Sequence, residues 1–280
     1  IGKEVRSYSE AQNFKVPPEE GKRCWTQQYQ DTVDFHMDVL PAIPNENVVF
    51  LLLENAGVSK VVAKEALAIT DNTHPDYEII GGQWPKSNPK GYAIWFEDRM
   101  NVGGVAAQRR KQIFEDKGGI YESIDEVPVY RLKTPLQRSV QWLKRHRDVM
   151  FKDDPEGKPI SIIITTLAAR AYNGEHEIAS ALDGILRRMG DYVMQSHPRV
   201  ANPVDPDEDF TDRWTRELED NFWIWLRQAR EHFSRLKQPI NESSLDQLIK
   251  NSLDISLSPV IKTSLLSGSV AGPAILSGRE

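Results

Sequence analysis

The sequence has little of what defines a secreted or a membrane protein. Its 280 residues include one cysteine, Cys24, so no disulfide can form within the chain and a disulfide-stapled secreted domain is excluded. The longest apolar run, residues 48–53, is far too short to span a bilayer. No signal peptide is visible at the start, which is Ile1 rather than Met. We therefore expect a cytoplasmic protein, with Cys24 half-buried in a strand.

Excess basic charge is also absent. The formal net charge is −6 at pH 7 and the isoelectric point is about 5.6. This balance argues against a long, non-specific nucleic-acid groove, so an extended nucleic-acid ligand is not expected, although local basic patches remain open. Hydrophobic residues make up 39% of the chain, which is enough for a sizeable core.

The hydrophobic pattern changes once along the chain. Residues 1–22 are polar and are assigned only a turn, whereas alternation predicts strands over residues 23–30 and 31–39. A helical period of 3.6 begins near Asn88. The predicted helices, of which the first is weakened by Gly103-Gly104, cover residues 90–116, 135–151, 159–172, 175–195, 207–237, 243–253 and 258–266. Strands followed by a long helical block predict an α+β fold.

Carboxylates alternate with apolar residues in segment 34–41. Side chains alternate across a strand, so Asp34, His36 and Asp38 would share one face. Carboxylate oxygens are ligands of Mg²⁺, and two such ions can activate an attacking hydroxyl and stabilise leaving pyrophosphate. A half-exposed strand with outward polar residues explains the same pattern, and that explanation is favoured when the segment is taken alone.

A basic turn lies on the helix predicted over residues 135–151. Residues 144–147, Lys-Arg-His-Arg, occupy most of this turn, and the next helix begins Lys158-Pro-Ile-Ser161. A lysine near a helix start can hold a triphosphate as a point charge. Ser161 lies in a first helical turn, where free N–H groups favour anions. A solvated charge cluster with an ordinary capping serine is the favoured explanation when these residues are taken alone.

A second acidic segment, residues 205–209, contains an Asp-x-Asp pattern. We interpret it as the N-terminal end of the helix predicted over residues 207–237, where acidic side chains cap the helix and complement its dipole. It is not predicted to be catalytic.

Several stretches resemble, in the same order along the chain, the bacterial cyclic-GMP-AMP-synthase/DncV-like nucleotidyltransferases (CD-NTases). Together they reach from about residue 23 to residue 214. They are residues 35–41 (FHMDVLP), 69–72 (ITDN), 84–96 (WPKSNPKGYAIWF), 136–148 (LQRSVQWLKRHRD), 159–167 (PISIIITTL), 202–204 (NPV) and 209–214 (DFTDRW).

The resemblance implies a partial polymerase-β-like nucleotidyltransferase palm over residues 1–88. This palm would pack on a helical lobe over residues 89–280, which ends in a flexible tail. Asp38 matches the third metal-binding carboxylate of the family, and Asp34 and His36 flank it. Lys144 and Ser161 match the residues that hold a nucleoside triphosphate. We therefore expect Asp38 and Lys144 to face one shared cavity.

The implied reaction joins ATP and other nucleoside triphosphates into a cyclic di- or trinucleotide, with Mg²⁺ or Mn²⁺ as cofactor and pyrophosphate as by-product. The implied role is antiphage (CBASS) signalling, in which the product activates a separate effector. The expected partners are nucleoside triphosphates and regulatory or effector proteins of an antiphage operon, with no membrane.

The sequence departs from the family pattern in one respect. The family carries a Gly-Ser motif followed by an Asp-x-Asp pair, and residues 1–33 contain neither. We expect these elements to lie before Ile1, and we expect the isolated 280-residue polypeptide to be inactive because one carboxylate cannot hold two Mg²⁺ ions. Two alternatives stay open: a catalytically inactive nucleotide-binding or interaction module, and a helical scaffold whose charged faces are only solvated surface.

Overall fold

Strands are concentrated in the first part of the chain and helices in the second, which confirms the α+β class. The chain divides into two compact units, Ile1–Trp95 and Phe96–Glu280, and the boundary falls inside the helix Pro89–Met100. The computed structural model describes residues 2–30, 34–44, 48–79, 84–116, 123, 133–238, 240–259 and 262–263. The predicted flexible tail lies outside these residues, as does most of the helix predicted over residues 258–266.

The first unit contains two antiparallel sheets, each of three strands, in the orders β1-β2-β3 and β4-β5-β6. In chain order its elements are α1 (Gly2–Ala11), β1 (Glu19–Glu20), β2 (Trp25–Gln30), β3 (Asp34–Val39), β4 (Ala42–Pro44), α2 (Val48–Asn55), α3 (Lys60–Ala63), β5 (Leu67–Ile69), β6 (Lys86–Ser87) and the first part of α4 (Pro89–Met100). The two long strands pair from Trp25 opposite Val39 to Gln30 opposite Asp34. The two predicted strands therefore form one hairpin-like pair. Cys24 is half-buried as predicted, but it directly precedes β2 and does not lie within a strand.

Helix α1 was not predicted from the sequence, and it packs near the apolar face of β2. The Arg6 guanidinium lies 4.9 Å from the centroid of the Trp25 ring. Phe14, just after the helix, meets Tyr29 edge-on with ring centroids 4.6 Å apart. Along the helix itself only Val5 and one serine are buried. Two buried positions in ten are too few to produce a helical hydrophobic pattern, which explains why the helix was missed.

An ion pair between a half-exposed arginine and a largely buried aspartate joins the loop before β2 to the loop after β5. Arg23 Nε donates to Asp71 Oδ2 at 2.8 Å, and the Thr73 amide and hydroxyl both donate to Asp71 Oδ1. The Asn72 amide also donates to the Lys22 carbonyl at 2.9 Å. The hydrogen bonds from Thr73, followed by that from Arg23, hold the pKa of Asp71 well below its usual range. The first sheet and the second are thus joined by polar contacts that stabilise a charged carboxylate.

The second unit is mainly helical. After the end of α4 it contains α5 (Val105–Asp116), α6 (Pro135–Met150), α7 (Ser161–Ala171), α8 (Ile178–Arg188), the strand pair β7 (Ala201–Asn202) and β8 (Asp205–Asp209), α9 (Arg216–Ser234) and α10 (Glu242–Leu253). Helix α6 begins with a capping box in which Thr134 and Gln137 satisfy each other's backbone N–H groups, followed by Pro135. The helix start predicted at residue 135 is confirmed.

Helix α7 forms the centre of this unit. Seven of its eleven residues are buried, and it packs against α6 and α8. Two arginines hold its C-terminal carbonyls: Arg99 Nε donates to the Ala169 carbonyl at 2.8 Å, and Arg188 Nε donates to the Ala171 carbonyl at 2.8 Å. These contacts satisfy acceptors that a helix end leaves without intrahelical partners.

The single helix predicted over residues 90–116 is interrupted. Helices α4 and α5 are separated by a short 3₁₀ turn, Val102–Gly104, in which Gly103 has a φ of 70°. This turn lies against Gly174, whose own φ is 82°. A Cβ atom on Gly174 would come within 2.6 Å of the Val102 carbonyl oxygen. Glycine is required at this approach, because a side chain would meet backbone that cannot move aside.

The prediction that residues 205–209 begin a helix is wrong. These residues form β8, and the helix begins at Arg216, where the Thr215 hydroxyl accepts from the Leu218 amide. The Asp209 carboxylate accepts instead from backbone amides on two sides of a turn. Its donors are the amides of Arg199, Val200 and Thr211, the Thr211 hydroxyl, and His197 Nδ1. A carboxylate that binds these amides organises a turn and not a helix end. None of the helices in the described residues is long and apolar enough to cross a bilayer.

We predict that Asp209→Asn lowers the free energy of unfolding by about 2 kcal/mol, because an amide cannot accept hydrogen bonds at both of its polar atoms. Burial alone would raise the pKa of Asp209, but the hydrogen bonds that the carboxylate accepts together outweigh burial and hold the pKa well below its usual value. Their contribution to stability is therefore present at neutral pH and is lost as the pH falls into the acid range. Urea unfolding measures the difference. The exposed neighbour Asp212→Asn is the control, with an expected change within about 0.5 kcal/mol. Equal stability of the two variants would contradict the assignment.

Candidate active site

Asp38 lies on β3 directly opposite Thr26 of β2. The Thr26 hydroxyl donates to Asp38 Oδ1 at 2.7 Å, and His36 Nε2 is 4.0 Å from Asp38 Oδ2. His36 and Asp38 are exposed, whereas Met37 and Val39 are half-buried, as the alternation of the strand predicted. The protein therefore orients one carboxylate oxygen of Asp38, and the other faces His36 and solvent.

Asp38 is one carboxylate where the family resemblance implies three. The side chain of Asp34, the other candidate on this strand, lies outside the described residues. Within the part of the chain that the structure describes, no three His, Cys, Asp or Glu side chains come together as metal ligands. A two-ion site needs more carboxylate oxygens than this set supplies. The described residues do not make up that site.

In the second unit, the end of α6 is joined to the start of α7 by Arg147, which is only 5% exposed. Its Nη1 atom donates to the Pro159 carbonyl at 2.9 Å and to Ser161 Oγ at 3.0 Å. Its Nε and Nη2 atoms donate to Asp148 Oδ1 at 3.0 and 2.7 Å. A buried guanidinium with these partners fixes the two helix ends relative to each other.

Two lysines lie near the contact that Arg147 makes between α6 and α7. Lys144 is half-buried one turn before Arg147 on α6, and Lys158 Nζ is 3.7 Å from Asp148 Oδ1. Burial lowers the pKa of Lys144, the charge of Arg147 lowers it further, and the charge of Asp148 opposes the shift. We call Lys144, Arg147, Asp148, Lys158 and Ser161 the α6–α7 basic cluster. Three cations and one carboxylate give it an excess of positive charge, which favours an anionic ligand.

The N-terminus of α7 adds to this positive field. Ser161 is its first residue and is exposed, and the preceding N-cap residue, Ile160, supplies no side-chain cap. The first N–H groups of such a helix carry partial positive charge and favour phosphate oxygens. The α6–α7 basic cluster therefore combines lysines, a hydroxyl and a helix N-terminus, which are the groups that bind phosphate chains.

His146 is not part of this basic surface, contrary to the grouping suggested by the sequence. It is 2% exposed, and its Nε2 atom lies 3.0 Å from Nδ1 of His232 on α9. The ring also packs against Phe233, with centroids 5.4 Å apart. Burial, together with the charge of His232, lowers the pKa of His146 to about 4. Both imidazoles are therefore neutral near pH 7, and one donates to the other.

The structure links two of the three predicted site residues: Lys144 and Ser161 both adjoin Arg147. Asp38 belongs to the other unit, and its approach to Lys144 stays a prediction. Arg147 was not predicted as a site residue from the sequence. Its three-residue spacing from Lys144 puts both on one face of a helix, but its contact with Ser161, fourteen residues away, depends on how the two helices pack.

No family model matches the chain. In sequence it is 30% identical over 240 residues to a c-di-GMP synthase from Roseivirga ehrenbergii, which covers 84% of this chain and 56% of that protein. In structure it is similar to the CD-NTase CdnG from Bradyrhizobium diazoefficiens, solved in complex with GTP. The TM-score is 0.57 at 18% identity, over 95% of this chain and 74% of that one.

These two similarities confirm the recognition made from the sequence: the chain resembles bacterial CD-NTase-like nucleotidyltransferases in sequence and in fold. The chain spans little more than half the length of the curated relative it matches.

We predict that the buried histidine pair makes the protein less stable in acid. The pKa of His146 is lower in the folded chain than its usual value near 6.5, so its contribution is complete above about pH 6.5 and is lost as the pH falls towards 4. His146→Gln keeps a hydrogen bond to His232 and does not titrate. Between pH 7 and pH 4.5 its free energy of unfolding should fall by about 2 kcal/mol less than that of the parent.

Denaturant unfolding at the two pH values measures this difference. Glu231 and Arg235 act on the pKa of His232 in opposite directions, and the variant leaves both in place. The exposed His176→Gln is the matched control and should keep the parent's pH dependence. The same pH dependence in His146→Gln as in the parent would show that the pair does not titrate as described.

Proposed function

We propose that this chain is part of a nucleotidyltransferase that joins nucleoside triphosphates into a cyclic di- or trinucleotide and releases pyrophosphate. The α6–α7 basic cluster is the observation that carries the proposal, because it assembles phosphate-binding groups on the two helices that the family resemblance singled out. The relative named as a c-di-GMP synthase and the structural neighbour solved with GTP support the same ligand class.

The proposed reaction requires residues that hold the triphosphate. Nucleotidyl transfer forms a bond between a sugar hydroxyl oxygen and the α-phosphorus of a triphosphate, and it breaks the bond from that phosphorus to pyrophosphate. The triphosphate must therefore be held while negative charge moves onto the leaving group. Lys144 supplies a point charge, and Ser161 with the N-terminus of α7 supplies hydrogen-bond donors.

Asp38 is proposed to act at the reacting end of the nucleotide, on the β3 face that it shares with His36. Its carboxylate is oriented by Thr26, and its outward oxygen is the one available to ligands. Mg²⁺ or Mn²⁺ is proposed as cofactor from the family resemblance. Antiphage signalling in the cytoplasm, through an effector protein that binds the product, is the proposed role.

Mass spectrometry of the products tests this function. The full-length protein would be incubated with all four nucleoside triphosphates and either Mg²⁺ or Mn²⁺. A cyclic oligonucleotide together with pyrophosphate is the expected result. Binding of a nucleoside triphosphate without any product would instead favour the catalytically inactive module, and absence of both would favour the scaffold.

Replacing Asp38 by Asn should abolish product formation in the full-length protein without unfolding it, because the change removes a charge and preserves the size of an exposed side chain. Product yield and the thermal unfolding temperature are the two measurements. Glu78→Gln removes one exposed negative charge from the same unit and should leave the yield unchanged. Full turnover in Asp38→Asn would refute the role of this carboxylate.

Replacing Lys144 by Ala should weaken the binding of nucleoside triphosphates by roughly 10- to 100-fold, since a hydrogen bond to a charged group contributes about 1.5–3 kcal/mol. Isothermal titration with GTP measures the affinity. Lys152→Ala, at an exposed lysine just beyond the same helix, is the matched control. An unchanged dissociation constant in Lys144→Ala would exclude it from the triphosphate site.

A further inference from the structure

The contacts of Arg147 determine what the Ser161 hydroxyl can do. A guanidinium has donors only, so in the 3.0 Å contact between Nη1 and Ser161 Oγ the serine must be the acceptor. A serine hydroxyl carries one hydrogen atom, and this contact does not use it. The hydrogen is therefore left for another acceptor.

The structure records no protein acceptor for that hydrogen among the described residues, and Ser161 is exposed. The hydroxyl of Thr165, one turn later, donates to the Ser161 carbonyl oxygen and leaves Oγ alone. The Ser161 hydroxyl therefore donates outward, at the uncapped N-terminus of α7.

Arg147 is held firmly enough to fix the direction of its hydrogen bond with Ser161. Its guanidinium is buried, and its other contacts are to Asp148 Oδ1 and the Pro159 carbonyl. A buried charge with a carboxylate partner and several hydrogen bonds is costly to displace. A lysine is a single point donor and cannot reproduce the planar fork that reaches all three groups.

We propose that Arg147 is a positioning residue that fixes Ser161 as a hydrogen-bond donor to a phosphate oxygen of a nucleoside triphosphate. The proposal rests on the proposed function. Arg147 acts through the serine and not by direct contact with the nucleotide, because its side chain is buried and four of its five N–H donors are engaged by the protein.

A double-variant cycle on the full-length protein tests this role, with GTP as the probe and isothermal titration as the measurement. Ser161→Ala should weaken GTP binding about tenfold or more, and Ser161→Thr, which keeps a hydroxyl, should stay within about threefold of the parent. Arg147→Lys should weaken binding about as much as Ser161→Ala does. The double variant should bind no more weakly than Ser161→Ala alone, because the effect of Arg147 passes through Ser161.

Arg188→Lys is the matched control for structural damage. Arg188 also binds one α7 carbonyl and one carboxylate, those of Ala171 and Glu175, but at the opposite end of the helix. This variant should lower the thermal unfolding temperature and leave the affinity for GTP unchanged. If Arg147→Lys does not fold, Arg147→Gln, which keeps a side-chain donor, takes its place in the cycle.

The outcomes separate this inference from the proposed function. Additive losses in the double variant, or an Arg147→Lys protein that binds GTP as the parent does, would overturn the positioning role while the proposed function stands. A parent protein that binds no nucleoside triphosphate would overturn the proposed function, and this inference with it.

Discussion

The buried guanidinium of Arg147 is the interaction on which the candidate nucleotide site depends. A charge in this position must be matched by a carboxylate and by hydrogen bonds, and Asp148, Pro159 and Ser161 supply them. Leaving such a charge without its partner costs about 3–5 kcal/mol. The end of α6 is therefore held against the start of α7, and the distance between the lysine on one helix and the hydroxyl on the other follows from that contact.

The α6–α7 basic cluster and the Asp38 strand illustrate two ways of holding a polar side chain ready for a ligand. Asp38 is exposed and is oriented by one hydroxyl from the neighbouring strand. Ser161 is also exposed, but it is oriented by a buried cation. In both cases the protein occupies one side of the functional atom and leaves the other side available. Pre-orientation of this kind lowers the entropy that a ligand must remove on binding.

Regular elements were the part of the fold that the sequence could predict. Alternation in segment 34–39 and the helical period after Asn88 are repeated many times, so single exceptions do not hide them. Helix α1 was missed because its buried side is narrow. The acidic residues before α9 were misassigned because their local pattern suits a helix start equally well. These residues form a strand because the Asp209 carboxylate accepts hydrogen bonds from a turn about ten residues upstream. The local sequence does not predict those contacts.

The candidate site divides in the same way. Lys144 and Ser161 were predicted through their resemblance to family motifs. Their common neighbour Arg147 was not predicted, because its contacts depend on the packing of two helices. His146 shows the opposite error: it lies between two arginines in sequence, yet its ring turns into the core to meet His232. The direction in which a side chain points changes by about 100° from one helical residue to the next, so adjacent residues in a basic run need not lie on the same surface.

Arginine side chains hold both ends of helix α7. Arg147 binds the Ser161 hydroxyl at its start, and Arg99 and Arg188 bind backbone carbonyls at its C-terminal end. Sliding the helix by a single residue would move it 1.5 Å along its axis and pull all three guanidinium contacts out of range. The helix therefore cannot slide along its axis within its unit. Any motion of Ser161 within this unit must carry the end of α6 with it, which keeps the spacing between Lys144, Arg147 and Ser161 constant.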